Sequence, residues 1–328
     1  MLPKTIALHI PDGFLSIPVA LIGWALMVIL VAFALRQTRQ QLGDRQIPLM
    51  GILAAFIFAA QMINFPVAGG TSGHLLGGML AAALLGPWGA VLVMTTVIGA
   101  QALFFQDGGL LALGFNVFNM GIIGIFIGYA IYVGVQRALR NTPAAQLLGA
   151  GLGAWAGVMF AAAATALQLA ASGTSPLEIA LPAMLGVHAL IGIGEALITV
   201  GALVFIRQTR PDLLPERGAA AARGSGWIVA GLVIALAVAF AAPLASPDPD
   251  GLERVAEDHG FIETAQEPPY TIMPDYTVPF IEDNEAVSTI LAGVIGVLIV
   301  AGIGYGMARL VGRRAPQPPD AAQGPAGR

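Results

Sequence analysis

The chain has 328 residues, of which 57% are hydrophobic and 10% charged, with a formal net charge of −4. A soluble domain carries roughly a quarter charged residues, so this chain lacks the charge to cover a globular surface, and its mean hydropathy of +0.80 points to the bilayer. It has no cysteine, which excludes disulfides, thiolate metal sites and cysteine nucleophiles together.

Taken in order, the chain opens with a short, mixed segment, residues 1–13. Apolar runs of about 20 residues have the length to cross a bilayer. The first, 14–35, ends at Arg36 and Arg39 and has no small-residue cleavage site, so it reads as a retained span. A second is expected over 48–67, leading into the loop Ala68-Gly-Gly-Thr-Ser-Gly-His74. A short third segment, 74–85, stops at Gly86-Pro87-Trp88, and a fourth, 89–105, stops at Gln106-Asp107-Gly108-Gly109. Further spans are expected over 110–135, 145–171, 180–206, 227–245 and 286–310. The tail beyond Arg314 is rich in Pro, Ala and Gln and is expected to be disordered.

The expected fold class is an all-α integral membrane protein, a polytopic helical bundle of about nine transmembrane segments. Cytoplasmic loops carry an excess of Lys and Arg. With the N-terminus outside, nine crossings put Lys4 and Arg254 outside and the other thirteen of the fifteen basic residues inside, so the C-terminus is expected inside. The short third segment must cross for this partition to hold. Spacing of Gly149, Gly153 and Gly157, and of Gly302 and Gly306, predicts close helix packing.

The segment 246–285 differs in kind. It holds eleven Asp and Glu, with prolines and the aromatics Tyr270, Tyr276 and Phe280, and is expected as an extracytoplasmic, solvated acidic module.

Absences narrow the chemistry. Lys4 is the sole lysine and stands in no glycine-rich loop, so the chain holds no Walker A phosphate cradle. No His-Glu-x-x-His occurs, which removes the zinc-protease reading. The four histidines are His9, His74, His188 and His259. His188 and Glu195 lie two helical turns apart, on one face of a span, as a polar pair that either lines a cation path or hydrogen-bonds inside the bundle with Asn116 or Asn119. His9 and His74 both fall at the outer side. A histidine following an N-terminal residue offers the amine, its own amide nitrogen and Nδ1 as a chelate; a second imidazole completes four nitrogens, a set suited to Ni(II) or Cu(II). Such ligands bind deprotonated.

Six segments carry a resemblance. His9-Ile-Pro-Asp-Gly-Phe-Leu-Ser16, Gln61-Met-Ile-Asn-Phe-Pro66, Gly69-Gly-Thr-Ser-Gly-His-Leu-Leu-Gly77, Leu85-Gly-Pro-Trp88, Phe105-Gln-Asp-Gly-Gly-Leu110 and His188-Ala-Leu-Ile-Gly-Ile-Gly-Glu195 resemble the CbiM/NikM family, the substrate-binding membrane components of energy-coupling factor transporters for cobalt and nickel. Pro249-Asp-Gly-Leu-Glu-Arg-Val-Ala-Glu257 resembles the PDGLE module of the small two-span N component. The resemblance implies a division into an N-terminal segment 1–13, a substrate-binding membrane domain 14–210, a linker 211–226, a two-span N-component-like domain 227–310 carrying the loop 246–285, and a tail 311–328.

It also implies ligands: His9, His74 and, as an N-terminal residue, Leu8. The family's first histidine is the second residue of its chain and here it is the ninth, so the full chelate is expected where the functional chain starts at Leu8. Asn64, Ser72, Gln106 and Asp107 are expected to orient the imidazoles. The implied function is non-enzymatic: capture of Ni2+ or Co2+, with the fusion favouring nickel, as transported substrate and with no permanent cofactor. A transmembrane coupling protein and ATPase subunits in the cell inner membrane would be partners, and no nucleic acid. The alternatives are a stand-alone metal carrier and a metal-sensing accessory subunit.

Overall fold

The structure, a computed structural model, describes residues 9–41, 43, 45–214, 226–281 and 283–312. Among them six helices are long and apolar enough to cross a membrane: α1 (Ile17–Gln41), α3 (Gly78–Phe105), α4 (Leu113–Ala138), α5 (Pro143–Ser172), α6 (Leu177–Thr209) and α9 (Glu285–Gly312). Two apolar helices are shorter, α2 (Gln46–Gln61) and α7 (Gly226–Phe240). A short amphipathic helix, α8 (Gly251–Asp258), lies in the acidic segment. The chain is a multi-pass membrane protein.

Two expectations need correction. The second span stops at Gln61, and the segment expected to continue it instead forms an antiparallel hairpin, β1 (Phe65–Val67) with β2 (Thr71–Gly73). Pro66 cannot extend a helix, and Gly69 and Gly70 turn the chain at positive φ. The third and fourth segments form one helical run broken at Gly86, whose φ of 75° and ψ of 168° are not helical. Glycine alone takes that conformation cheaply, and Pro87 then starts the second part, where its missing N–H costs nothing. Residues 74–77, expected to open the third span, are not helical and lead instead from the hairpin into α3.

Helix packing follows the small residues. Gly153 and Gly157 of α5 stand against Gly128 and Gly124 of α4, and a Cβ at Gly153 would lie 2.4 Å from the Gly128 carbonyl oxygen. The backbones therefore touch, which without a side chain between them is the source of attraction in lipid. We expect Gly153→Val to destabilise the bundle by roughly 1–3 kcal/mol through overpacking, read as an earlier thermal unfolding in detergent; an unchanged midpoint would show that α4 and α5 can separate freely. Among the described residues Gly302 and Gly306 meet no neighbour within 4 Å, so that pair packs against none of them. The helices α7 and α9 dock on α2, with Gly231 over Ile52 and Gly304 over Ala54. The core between α2, α3 and α9 is filled by Leu53, Phe58, Leu80, Leu92, Ile98 and Phe105, whereas Leu21, Ile29, Leu197 and Phe205 face outward where lipid would lie.

One end of the bundle gathers the basic residues: Arg45 and Arg210 both pair with Asp212, and Arg207 bonds Gln146. The linker residues 215–225, with Arg217 and Arg223, and the tail 313–328 lie outside the described residues. The opposite end carries the hairpin, the segment 9–16, the turn 106–112 and the acidic module. That module is stitched to the bundle and does not stand off in solvent. Tyr270 Oη donates to the carbonyls of Ala102 and Leu103, Met273 N–H to that of Phe104, and Gln266 N–H to that of Asp12. The apolar face of α8, Leu252, Val255 and Ala256, is buried in a cluster with Phe14 and Phe261, whose rings meet edge to face.

Candidate metal centre

Each wall of the site has a local cause. The segment bearing His9 is held like an extra strand: Asn116 accepts from Ile10 N–H and donates to the Ile10 carbonyl, both at 3.0 Å. Asp12 accepts from the N–H groups of Leu110, Leu111 and Ala112 at the entry to α4, which fixes the turn that carries Asp107. His74 follows β2, and the peptides after it are gripped by Glu195 of α6, which accepts from Leu76 N–H at 2.5 Å and Gly77 N–H at 3.0 Å.

These anchors bring His9 and His74 together, both buried, with ring centroids 5.7 Å apart and nearly perpendicular. His74 Nδ1 lies 3.0 Å from the Leu75 carbonyl oxygen, which can only accept, so Nδ1 carries the proton. His9 Nδ1 lies 3.0 Å from Asp107 Oδ1, an ion-pair distance without the alignment of a good hydrogen bond. His9 Nε2 is buried and has no hydrogen-bond partner among the described residues. The ring thus presents Nε2, and the chelate through Nδ1 would require Asp107 to release that atom. Leu8 lies outside the described residues.

Asp107 is the hub. Its Oδ2 accepts from Tyr276 Oη at 2.5 Å, and Tyr276 Oη accepts from Gln101 Nε2 at 2.9 Å. The turn that ends α3, Gln101–Phe105, is wound wider than an α-helix, a distortion common at functional positions, and it delivers Asp107 to this network. Burial works against ionising His9, but the Asp107 carboxylate outweighs it and raises the imidazole pKa. Burial likewise works to raise the Asp107 pKa, but His9 and the Tyr276 hydroxyl hold it below the usual carboxylate range. Burial, then the charge of Asp107, pushes the Tyr276 phenol well above its ordinary value.

A cavity of about 80 Å³ opens beside the pair, lined by His9, His74, His188, Asn116 and Asp250 among others. Room for water or an ion is present, since about one probe sphere needs only ~10–15 Å³. Among the described residues no three His, Asp or Glu side chains already surround one point at coordinating distance.

Of the residues expected around the imidazoles, Asp107 touches one, His9. Ser72 serves the loop instead: its Oγ donates to the Asp248 carbonyl at 2.8 Å and its N–H to the Pro249 carbonyl at 2.8 Å. Gln106 accepts from Ile272 N–H and lines a different cavity, and Asn64 lines a third, its carbonyl holding Ser246 N–H. All three are committed to the acidic module, Ser72 and Asn64 through backbone groups and Gln106 through its side-chain oxygen. His188 and Glu195 share a face without pairing: His188 Nδ1 bonds the Met184 carbonyl at 2.7 Å and lines the cavity, while Glu195 holds the loop. Asn119 pairs with Gln168 and Thr165 instead. Sequence reasoning missed Asp250 and Tyr276 as neighbours of the site. Asp250 could have been found as the side chain that caps α8, accepting from Leu252 N–H and Glu253 N–H.

Comparison with known proteins shows the family. The profile of the cobalt uptake substrate-specific transmembrane region, CbiM, matches residues 9–213, and that of the PDGLE domain matches 225–313. A putative fused nickel transport protein NikMN of Archaeoglobus fulgidus is 36% identical over 92% of this chain and 98% of its own. The fused nickel transport protein NikMN of Rhodobacter capsulatus is 32% identical over 90% and 96%, and the cobalt transport protein CbiM of Sorangium cellulosum 36% over 63% and 94%. The crystal structure of a transition metal transporter superposes with a TM-score of 0.57 at 33% identity, over 66% of this chain and all of that one. A multi-pass helical bundle with histidines buried at one end is, in this company, a substrate-binding component of a metal transporter. The chain belongs to the CbiM family and carries a PDGLE domain in the same polypeptide.

Proposed function

We propose that this protein is the substrate-capture component of an energy-coupling factor importer for Ni2+ or Co2+, with nickel the favoured ion. It takes the ion at the outer face through His9 and His74, and a transmembrane coupling protein with ATPase subunits in the cell inner membrane drives its release inward. The observation that supports this most is the meeting of His9 and His74, from separate segments, in one buried pocket where His9 Nε2 has no partner among the described residues. An unpartnered buried nitrogen costs free energy, and a cation would use its lone pair. The relatives named for nickel and cobalt transport agree.

In this reading the residues divide the work. Asp107 orients the His9 ring, the Leu75 carbonyl fixes the His74 tautomer, and the docked acidic module shuts out water. The unit 14–210, together with the preceding segment that bears His9, captures the ion, and 227–310 covers it. The proposed topology has nine crossings, N-terminus outside and C-terminus inside, with the part of α3 before Gly86 descending from the site and the part after it returning to Asp107. The cysteine-free background makes this testable. Glu178→Cys and Glu263→Cys, both exposed, should react with an impermeant thiol reagent in intact cells, and exposed Ala144→Cys should not; labelling at Ala144 would sink the topology. Function is tested by metal analysis of the purified protein and by uptake of each ion with the partner subunits present. Stoichiometric binding of neither ion would overturn the proposal.

A further inference from the structure

The cavity beside His9 and His74 has a wall that comes from the PDGLE segment. Ser72 N–H and Oγ both bond the carbonyl of Pro249, the second at 3.3 Å, which sets Asp250 next to the loop of His74. Gly251 follows, so close to His188 that a Cβ there would stand 2.8 Å from the His188 Cε1. Only a residue without a side chain allows this approach. Asp250 is 3% exposed and lines the cavity with His9, His74 and His188. Both of its capping bonds go to Oδ1, which leaves Oδ2 uncommitted by the cap.

A divalent ion brought into a buried cavity must be met by opposite charge, because desolvated charge is tolerated only when paired. Neutral imidazoles supply lone pairs and no charge. Two buried carboxylates exert their charge on both histidines, Asp107 and Asp250, and Asp107 is already engaged with His9. We propose that Asp250 is a metal-binding residue of the site: its carboxylate supplies, from the PDGLE domain, the second negative charge that balances a divalent cation held at His9 and His74. The inference rests on the capture function proposed above. It gives the fused domain a chemical part in binding beyond that of a cover.

The apo and metal-bound states respond with opposite signs. Without the ion, Asp250 is a buried carboxylate, and the desolvation of its charge costs free energy. Asparagine at this position keeps the Oδ1 that caps α8 and is as good a cap as aspartate, but removes the charge. Full-length Asp250→Asn, purified in detergent, should bind Ni2+ and Co2+ at least about tenfold more weakly by titration calorimetry, while its melting temperature without metal stays the same or rises. A merely structural role would lower both. Asp250→Ser, whose hydroxyl also caps, should lose affinity in parallel; a loss confined to the asparagine variant would assign the effect to the amide and overturn the proposal. Parental affinity in Asp250→Asn overturns it as well. His74→Ala is measured alongside: if it loses binding while Asp250→Asn does not, this inference alone falls, and if His74→Ala binds as the parent does, the histidine reading falls first.

Discussion

His74→Ala is expected to abolish capture of Ni2+ and Co2+, weakening binding by more than about 100-fold, beyond the 10–100-fold typical of losing a residue that only orients a ligand. The protein should remain folded. The loop bearing His74 is anchored by its backbone, through Ser72 to Pro249 on one side and through Leu76 and Gly77 to Glu195 on the other, so the imidazole is not what holds it. Equilibrium dialysis with metal analysis of the eluted protein reads the effect, with the thermal midpoint as the control for folding. His259→Ala, an exposed histidine at the end of α8, should bind as the parent. Stoichiometric metal in His74→Ala would remove this residue from the site.

The sequence showed the two histidines and the apolar bundle, because both signals are local. A run of 23 apolar-rich residues or a Gly-Thr-Ser-Gly-His loop needs no knowledge of what lies opposite. The hairpin at 65–73 was less legible, since the hydrophobic run into Val67 hid the helix stop at Gln61 that Pro66 announces. The acidic module was read as solvated from its charge, and that inference failed for a physical reason. Its apolar residues are few but fall on one face of α8, and its tyrosines reach bundle carbonyls and Asp107 across long stretches of chain. No local pattern encodes such a contact. The pair His188 and Glu195 shows the same limit: the shared helix face was readable, but that one residue lines the cavity and the other grips the peptides behind His74 depended on where a distant loop would dock.

That grip motivates the second large effect, Glu195→Ala. Glu195 is 1% exposed and accepts from two backbone N–H groups, those of Leu76 and Gly77, where the chain passes from the hairpin into α3. Truncation leaves both donors without an acceptor, that of Gly77 buried and that of Leu76 half-buried, at up to about 1–3 kcal/mol each, and adds an apolar void where the carboxylate stood. The stability loss should be large enough to lower the thermal midpoint by several degrees. It should also weaken metal binding, because His74 lies only two residues before the first N–H released. Glu195→Gln keeps one carbonyl oxygen as acceptor and should fall between the parent and the alanine variant in both measurements. Correlated losses across the three proteins are the signature of a carboxylate that fixes the binding loop. Parental melting with impaired binding in Glu195→Ala would instead make Glu195 a contact of the ion, and parental values of both would show that Leu76 and Gly77 find other acceptors.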